Sequence, residues 1–225
     1  MPRVVYIDGV DDGFRAALVD RLRRAGANLA EDKEAEFRVG LGDGASGDIV
    51  IIPSNASHGN ARLVVRVHDM ILPSGGGGWG TGILRDWVEG VKGGEIKHHP
   101  SATKASYWVH VRDVVDAMTI LIMAEGEIIA NGTIDMCGRR AWADKDVIDE
   151  IELLWHRYLN AIHHSHTVES LSGVPSPVRG DSPNPTPRPD LGPLHEALIE
   201  AGGDGWHPIV PMRTALMELI ALSSG

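Results

Sequence analysis

The stretch Gly9-Val10-Asp11-Asp12-Gly13-Phe14-Arg15 combines residue types that favour an anion with types that repel one. It follows the apolar run "RVVYI" and leads into Phe14, Ala17, Leu18, Leu22 and Ala25 at helical spacing, with Gly26 as the stop. A strand, a glycine turn and a helix in that order would aim the helix N-terminus, with its free N–H groups and positive dipole end, at a pyrophosphate. Gly9, Gly13 and Arg15 are therefore the candidate dinucleotide contacts. Asp11 and Asp12 allow two readings: they set negative charge beside that anion, or they cap the helix, an ordinary role for an acid in a first turn.

Other constellations offer less. Ser57 and His58 are neighbours on an extended chain, so their side chains face opposite sides and make a poor nucleophile–base pair. His163, His164 and His166, with His98 and His99 elsewhere, raise the question of a metal. Adjacent histidines at a helix end diverge, whereas zinc needs three or four converging ligands, so no metal is expected. Cys137 is the single cysteine and reads as a small buried residue. The loop "SGGGGWGTG" has the glycines of a phosphate cradle without the G-K-[ST] ending. Trp79, Trp87 and Trp108, in or near it, either stack on a base or sugar or fill the core. Arg66 is a candidate phosphate ligand, since a guanidinium grips phosphate bidentately; its alternative is an exposed charge or a salt bridge.

Alternating elements must position these residues. "GDIVIIPS" and "ARLVVRVHDMI" are continuous apolar runs suited to parallel strands covered on both faces. Helices are predicted over 83–94, 112–126, 143–162 with Asp144 as N-cap, and 211–222; shorter strands are predicted over 106–111 and 132–138. Residues 172–193, dense in proline, serine and glycine, predict a long irregular connection. The fold class is α/β with a mostly parallel sheet. In a chain of 225 residues, 43% apolar and 23% charged content belongs to a soluble globular protein. A formal charge of -10 disfavours nucleic acid and anionic membrane partners, and no apolar run approaches the roughly 20 residues of a membrane helix. With one cysteine and no basic-then-apolar leader, a cytoplasmic location is expected.

The succession "LVVRVHDMILPSG", "ILRDWVEGVKGGEI", "YWVHVRDVVDAM", "GTIDMCGRRAWADKDVIDEI", "RPDLGPLHEAL" and "GWHPIVPMRTALMELI" resembles the carboxy-terminal half of the extended short-chain dehydrogenase/reductases, the NAD(P)-dependent nucleotide-sugar epimerases and dehydratases. The likeness covers residues 61–220 well and 1–55 loosely. It implies a Rossmann-like sheet, incomplete relative to the family, in residues 1–72, interleaved with a small nucleotide-sugar-binding lobe in 73–225. It implies a nucleotide-diphosphate sugar as partner and NAD or NADP as cofactor. It also assigns Arg188, in Arg188-Pro189-Asp190, to the nucleotide's phosphate, with Lys104 a weaker substitute for an arginine that Ser106 replaces. Arg66, Lys104 and Arg188 are thus the candidate substrate contacts.

Two departures limit what the resemblance implies. The family's T-G-x-x-G-x-x-G falls on Asp8, Gly9, Asp12 and Arg15, so NAD(P) binding is expected to be weak or absent. Between "GDIVIIPS" and "ARLVVRV" the family's further elements and its catalytic Tyr-x-x-x-Lys are missing. Tyr6, Tyr107 and Tyr158 are the only tyrosines, and none has a lysine four residues on. The catalytic residues are therefore unknown, and a non-catalytic nucleotide-sugar or protein-binding module is the alternative to an enzyme. The gap also predicts an uncovered apolar sheet face, and hence a homo-oligomer, most simply a dimer, through an interface other than the family's.

Overall fold

The computed structural model describes residues 3–31, 35, 37–75, 78–97, 100–101, 104–125, 131–169 and 187–223. β1 (Val4–Gly9) enters α1 (Gly13–Arg24), followed by β2 (Asn28–Leu29), β3 (Phe37–Leu41), β4 (Ala45–Pro53), β5 (His58–Val67) and β6 (Met70–Ile71). Then come α2 (Gly82–Gly93), β7 (Ala105–Ser106), β8 (Val109–His110), α3 (Val111–Met123), β9 (Gly132–Met136), β10 (Trp142–Ala143), α4 (Asp144–Ile162), α5 (Gly192–Glu200) and α6 (Met212–Leu222). The main sheet has six strands in the order β2-β1-β3-β4-β5-β9, every pair parallel. The chain reverses direction across the sheet between β1 and β3, the switch point at which open α/β sheets form a crevice beyond the carboxyl ends of their strands.

One face of the sheet carries Val5, Ile7, Val39, Ile49, Ile51, Leu63 and Val65, packed against Phe14, Leu18 and Leu22 of α1, Val114 and Met118 of α3, and Leu194 of α5. A second core joins α2, α4 and α6 through Leu84, Trp87, Ile151, Leu216 and Ile220. Trp79, Trp87 and Trp108 are 4%, 2% and 9% exposed, so all three fill cores and none offers an open stacking platform.

The other face is closed in an unusual way. Only residues 42–44 separate β3 from β4, and only 54–57 separate β4 from β5, too few for the helical crossover that joins most parallel strands. The first residues of β4 instead lie across β3: an added Cβ at Gly40 would sit 2.6 Å from Ser46 O, and one at Gly47 2.8 Å from Arg38 O. Glycine is required at both places because backbone meets backbone. Val50, Ile52 and Val64 are thereby buried against Ala45, Ala56 and Ala61 of the same chain. This corrects the premise of an uncovered face: burial of these strands makes no demand for a second chain.

Several local expectations also change. β3 and α5 were not foreseen, and the run 61–71 divides, with β6 pairing β8 apart from the main sheet. Ala143, not Asp144, occupies the N-cap of α4, and the Asp144 carboxylate accepts the Ser101 N–H at 3.0 Å. Most of the proline-rich stretch, and His98 and His99, lie outside the described residues. No helix among the described residues is long and apolar enough to cross a membrane.

Candidate functional site

The carboxyl ends of β1, β3, β5 and β9 form the candidate site, built up from the α1 turn. Gly9 closes β1 at φ +123°, where an added side chain would run into the Leu41 carbonyl at the end of β3. Asp12 is the N-cap of α1: its Oδ1 accepts Phe14 N–H and Arg15 N–H, each at 3.0 Å. Its Oδ2 accepts the Trp79 indole N–H at 2.9 Å. Trp79 packs on Phe14 with ring centroids 4.6 Å apart. Ser74 and Gly75 press on Gly13 so closely that a Cβ there would collide with the Ser74 side chain. Arg15 turns back on its own turn, with Nη1 3.3 Å from Asp11 Oδ1 and Nη2 3.3 Å from Ile7 O.

Further along the strand ends, His68 Nε2 meets Asp135 Oδ1 at 2.8 Å, both side chains partly exposed. Asp69 follows at φ +48° and accepts the Tyr107 N–H at 2.8 Å, tying β7 to the end of β5. Arg66 lies opposite Asp135 in the β5–β9 register, half-buried, with its Nε–H buried and without a hydrogen-bond partner among the described residues. Arg188 is exposed, and its Nη1 donates to Arg139 O at 3.2 Å, just past the end of β9. Cys137, directly after β9, is buried, and burial pushes its thiol up to about 12, so it is no nucleophile at neutral pH.

Arg66 lies one residue before the end of β5, Arg188 beside the loop that follows β9, and Gly9, Gly13 and Arg15 at the α1 turn. Lys104 stands apart on an exposed loop, its backbone N–H donating to Ser101 Oγ at 3.2 Å. Ser57 Oγ bonds Asp43 at 2.8 Å rather than His58. His163, His164 and His166 are exposed, and among the described residues no three histidine, cysteine, aspartate or glutamate side chains are placed to hold a metal. Sequence reading missed the His68–Asp135 pair: His68 follows β5 between the charged Arg66 and Asp69, and no local pattern joins it to Asp135.

Beyond the cluster lies a cleft of about 310 Å³, bordered by Ile71, Trp108, Arg139, Arg140, Trp142 and Pro211. Its wall is fixed by Asp113, whose carboxylate accepts Ile209 N–H at 2.8 Å and Val210 N–H at 3.2 Å.

No protein-family model matches the chain, and no curated protein matches it. Solved structures do. A UDP-glucose 4-epimerase of Thermotoga maritima, determined with UDP-glucose, aligns at 12% identity over 98% of both chains with a TM-score of 0.56. MoeE5 in complex with UDP-glucuronic acid and NAD aligns at 12% identity over 99% of both chains with a TM-score of 0.59. RMD of Pseudomonas aeruginosa with NADPH aligns at 12% identity over 98% of both chains with a TM-score of 0.58. The chain has the Rossmann-like fold of the NAD-dependent nucleotide-sugar epimerases and dehydratases, which agrees with the resemblance read from its sequence.

Proposed function

We propose that the chain is a shortened, diverged extended short-chain dehydrogenase/reductase that binds a nucleotide-diphosphate sugar without the hydride transfer of that group. The observation that carries this reading is the Asp12 carboxylate. A pyrophosphate at the α1 N-terminus needs the first-turn N–H groups, and two of these, Phe14 and Arg15, are already taken by Asp12. The carboxylate is an anion built into the place where the cofactor's anion would lie, and Ser74 and Gly75 cover the adjacent Gly13. The residues present thus do not fit a dinucleotide in this arrangement.

The substrate half is better provided for. Arg66 and Arg188 border the ends of β5 and β9, where the ligands of open parallel sheets bind, and a guanidinium suits a diphosphate. UDP-glucose and UDP-glucuronic acid are the ligands of the structural neighbours.

A thermal-shift panel of NAD, NADP, UDP-glucose and UDP-glucuronic acid tests the reading, since a ligand at a hundred times its Kd adds about 2.7 kcal/mol of stability. A shift with a nucleotide sugar alone, weakened at least tenfold in affinity by Arg188→Ala, is the expected result. Micromolar NAD or NADP binding overturns the cofactor half of the reading; no shift with either sugar nucleotide overturns the substrate half.

A further inference from the structure

We infer that His68, oriented by Asp135 beside Arg66, is the general base of a hydrolytic site that cleaves a nucleotide-diphosphate sugar between its anomeric carbon and the diphosphate. The inference rests on the nucleotide-sugar reading and adds a reaction to it. Arg66 stands in one register row with Ile52 of β4 and Asp135 of β9. His68 lies two residues beyond Arg66 and extends the ladder, its backbone N–H donating to Met136 O at 2.8 Å. Side chains two apart on a strand share a face, so the arginine, the histidine and the carboxylate stand on one side of the sheet.

The chemistry follows from what each group has left to offer. A carboxylate only accepts, so the 2.8 Å contact of His68 Nε2 with Asp135 Oδ1 puts a proton on Nε2 and, in the neutral ring, leaves the lone pair on Nδ1. That Nδ1 has no hydrogen-bond partner among the described residues and is not shut off from solvent. The Arg66 guanidinium makes no hydrogen bond or ion pair among the described residues; its Nε is buried, but its Nη groups reach solvent and can receive an anion. A half-buried cation without a counter-charge favours one brought by a ligand. Two residues of strand span about 7 Å. That lies within the roughly 6.5–9.5 Å between the leaving-group and water-activating residues of inverting glycoside hydrolases, so a diphosphate on Arg66 leaves room for a sugar and a water before His68. His68 Nδ1 takes a proton from that water as its oxygen bonds to the anomeric carbon. The bond from this carbon to the phosphate oxygen breaks, and its electron pair leaves with the nucleoside diphosphate. The imidazolium, stabilised by Asp135, then gives its proton to solvent. A diphosphate departs as a stable anion and needs no acid to protonate it, which suits a site of one base and one cation. The partial exposure of the His68 and Asp135 side chains, 27% and 35%, suits a reaction whose second substrate is water.

The test incubates the full chain with UDP-glucose in H₂¹⁸O, follows UDP release, and reads the sugar by NMR before its anomers equilibrate. The α-glycosyl phosphate should give β-glucose first, with ¹⁸O on the anomeric carbon and none on phosphorus. His68→Gln should lower turnover about a hundredfold or more while the Kd for UDP-glucose, from calorimetry, stays unchanged. In His68→Ala, free imidazole should restore part of the turnover, which a merely structural tie between β5 and β9 does not allow. Asp135→Asn, which disturbs the orientation and tautomer of His68, should lower kcat roughly tenfold or more without raising KM. Binding without UDP release, ¹⁸O on phosphorus, α-glucose as first product, or full turnover in His68→Gln overturns the inference and leaves the nucleotide-sugar reading standing. Absence of UDP-glucose binding to the native chain overturns both.

Discussion

Trp79 donates its indole N–H to Asp12 Oδ2 at 2.9 Å, joining the glycine loop to the cap of α1 across 67 residues of sequence. One carboxylate thus ends a helix and fixes a buried tryptophan. Asp12→Ala removes the acceptor for Phe14, Arg15 and Trp79 together, and should cost about 2 kcal/mol in urea unfolding. Asp12→Asn retains an N-cap oxygen but turns an amide toward the indole N–H, and should cost less. If Asp12→Ala loses under about 0.5 kcal/mol, the cap is not what holds this turn.

This pair also marks the limit of what was legible in the sequence. That Asp12 caps α1 follows from its position, because a cap acts on neighbours. That Trp79 needs it does not, since no local pattern joins a glycine loop to a distant turn. The strands at 4–9, 45–53 and 58–67 were visible as apolar runs, whereas β3 was hidden: Phe37–Leu41 is short and interrupted by Gly40. Gly40 is there because Ser46 crosses it, a tertiary reason. α5 was masked by the prolines before it, although Pro193 in its first turn is a favourable start for a helix. His68 and Asp135 meet only through the parallel pairing of β5 with β9.

Gly40→Ala and Gly47→Ala test the short crossovers. The added methyl group would lie 2.6 Å from Ser46 O in one case and 2.8 Å from Arg38 O in the other, so backbone must move. Each should cost about 1–3 kcal/mol, the range for overpacked sites. Gly93→Ala in α2, with no atom within 4 Å of the new Cβ, should be neutral or stabilising by up to about 1 kcal/mol. Thermal unfolding of the three variants checks the contrast; equal Tm values across them would contradict the crossing of β4 over β3.

Cys137 should be silent at neutral pH and costly at high pH. Burial raises its thiol to about 12, so between about 9 and 12 the unfolded chain releases a proton that the folded chain keeps. Stability should therefore fall as pH rises above about 9, and Cys137→Ala should flatten that slope whatever its own cavity costs. Native protein should resist iodoacetamide at pH 8 and react only after denaturation. Rapid native labelling would contradict the burial.

His110 sets the opposite limb of the pH profile. It is 2% exposed, caps α3 by accepting the Arg112 N–H at 3.1 Å through Nδ1, and places Nε2 3.1 Å from Glu218 Oε2. This pairing describes a neutral ring, with Nδ1 as acceptor and Nε2–H as donor. Burial is the largest influence and lowers its pKa; Glu218 opposes that and Arg112 reinforces it. As pH falls below about 6.5 the unfolded histidine gains a proton while the folded one does not, so stability is present above that pH and drains away below it, by at most about 1.4 kcal/mol per pH unit. Asp113, raised by its own burial, works in the other direction: the folded carboxyl keeps a proton that the unfolded one has lost, which favours the fold only at more acidic pH. Urea unfolding from pH 7.5 to 5 should show the loss assigned to His110. In His110→Asn, whose side-chain oxygen can still cap α3, that slope should disappear while the helix persists by circular dichroism. An unchanged slope in the variant would place the titration elsewhere in the chain.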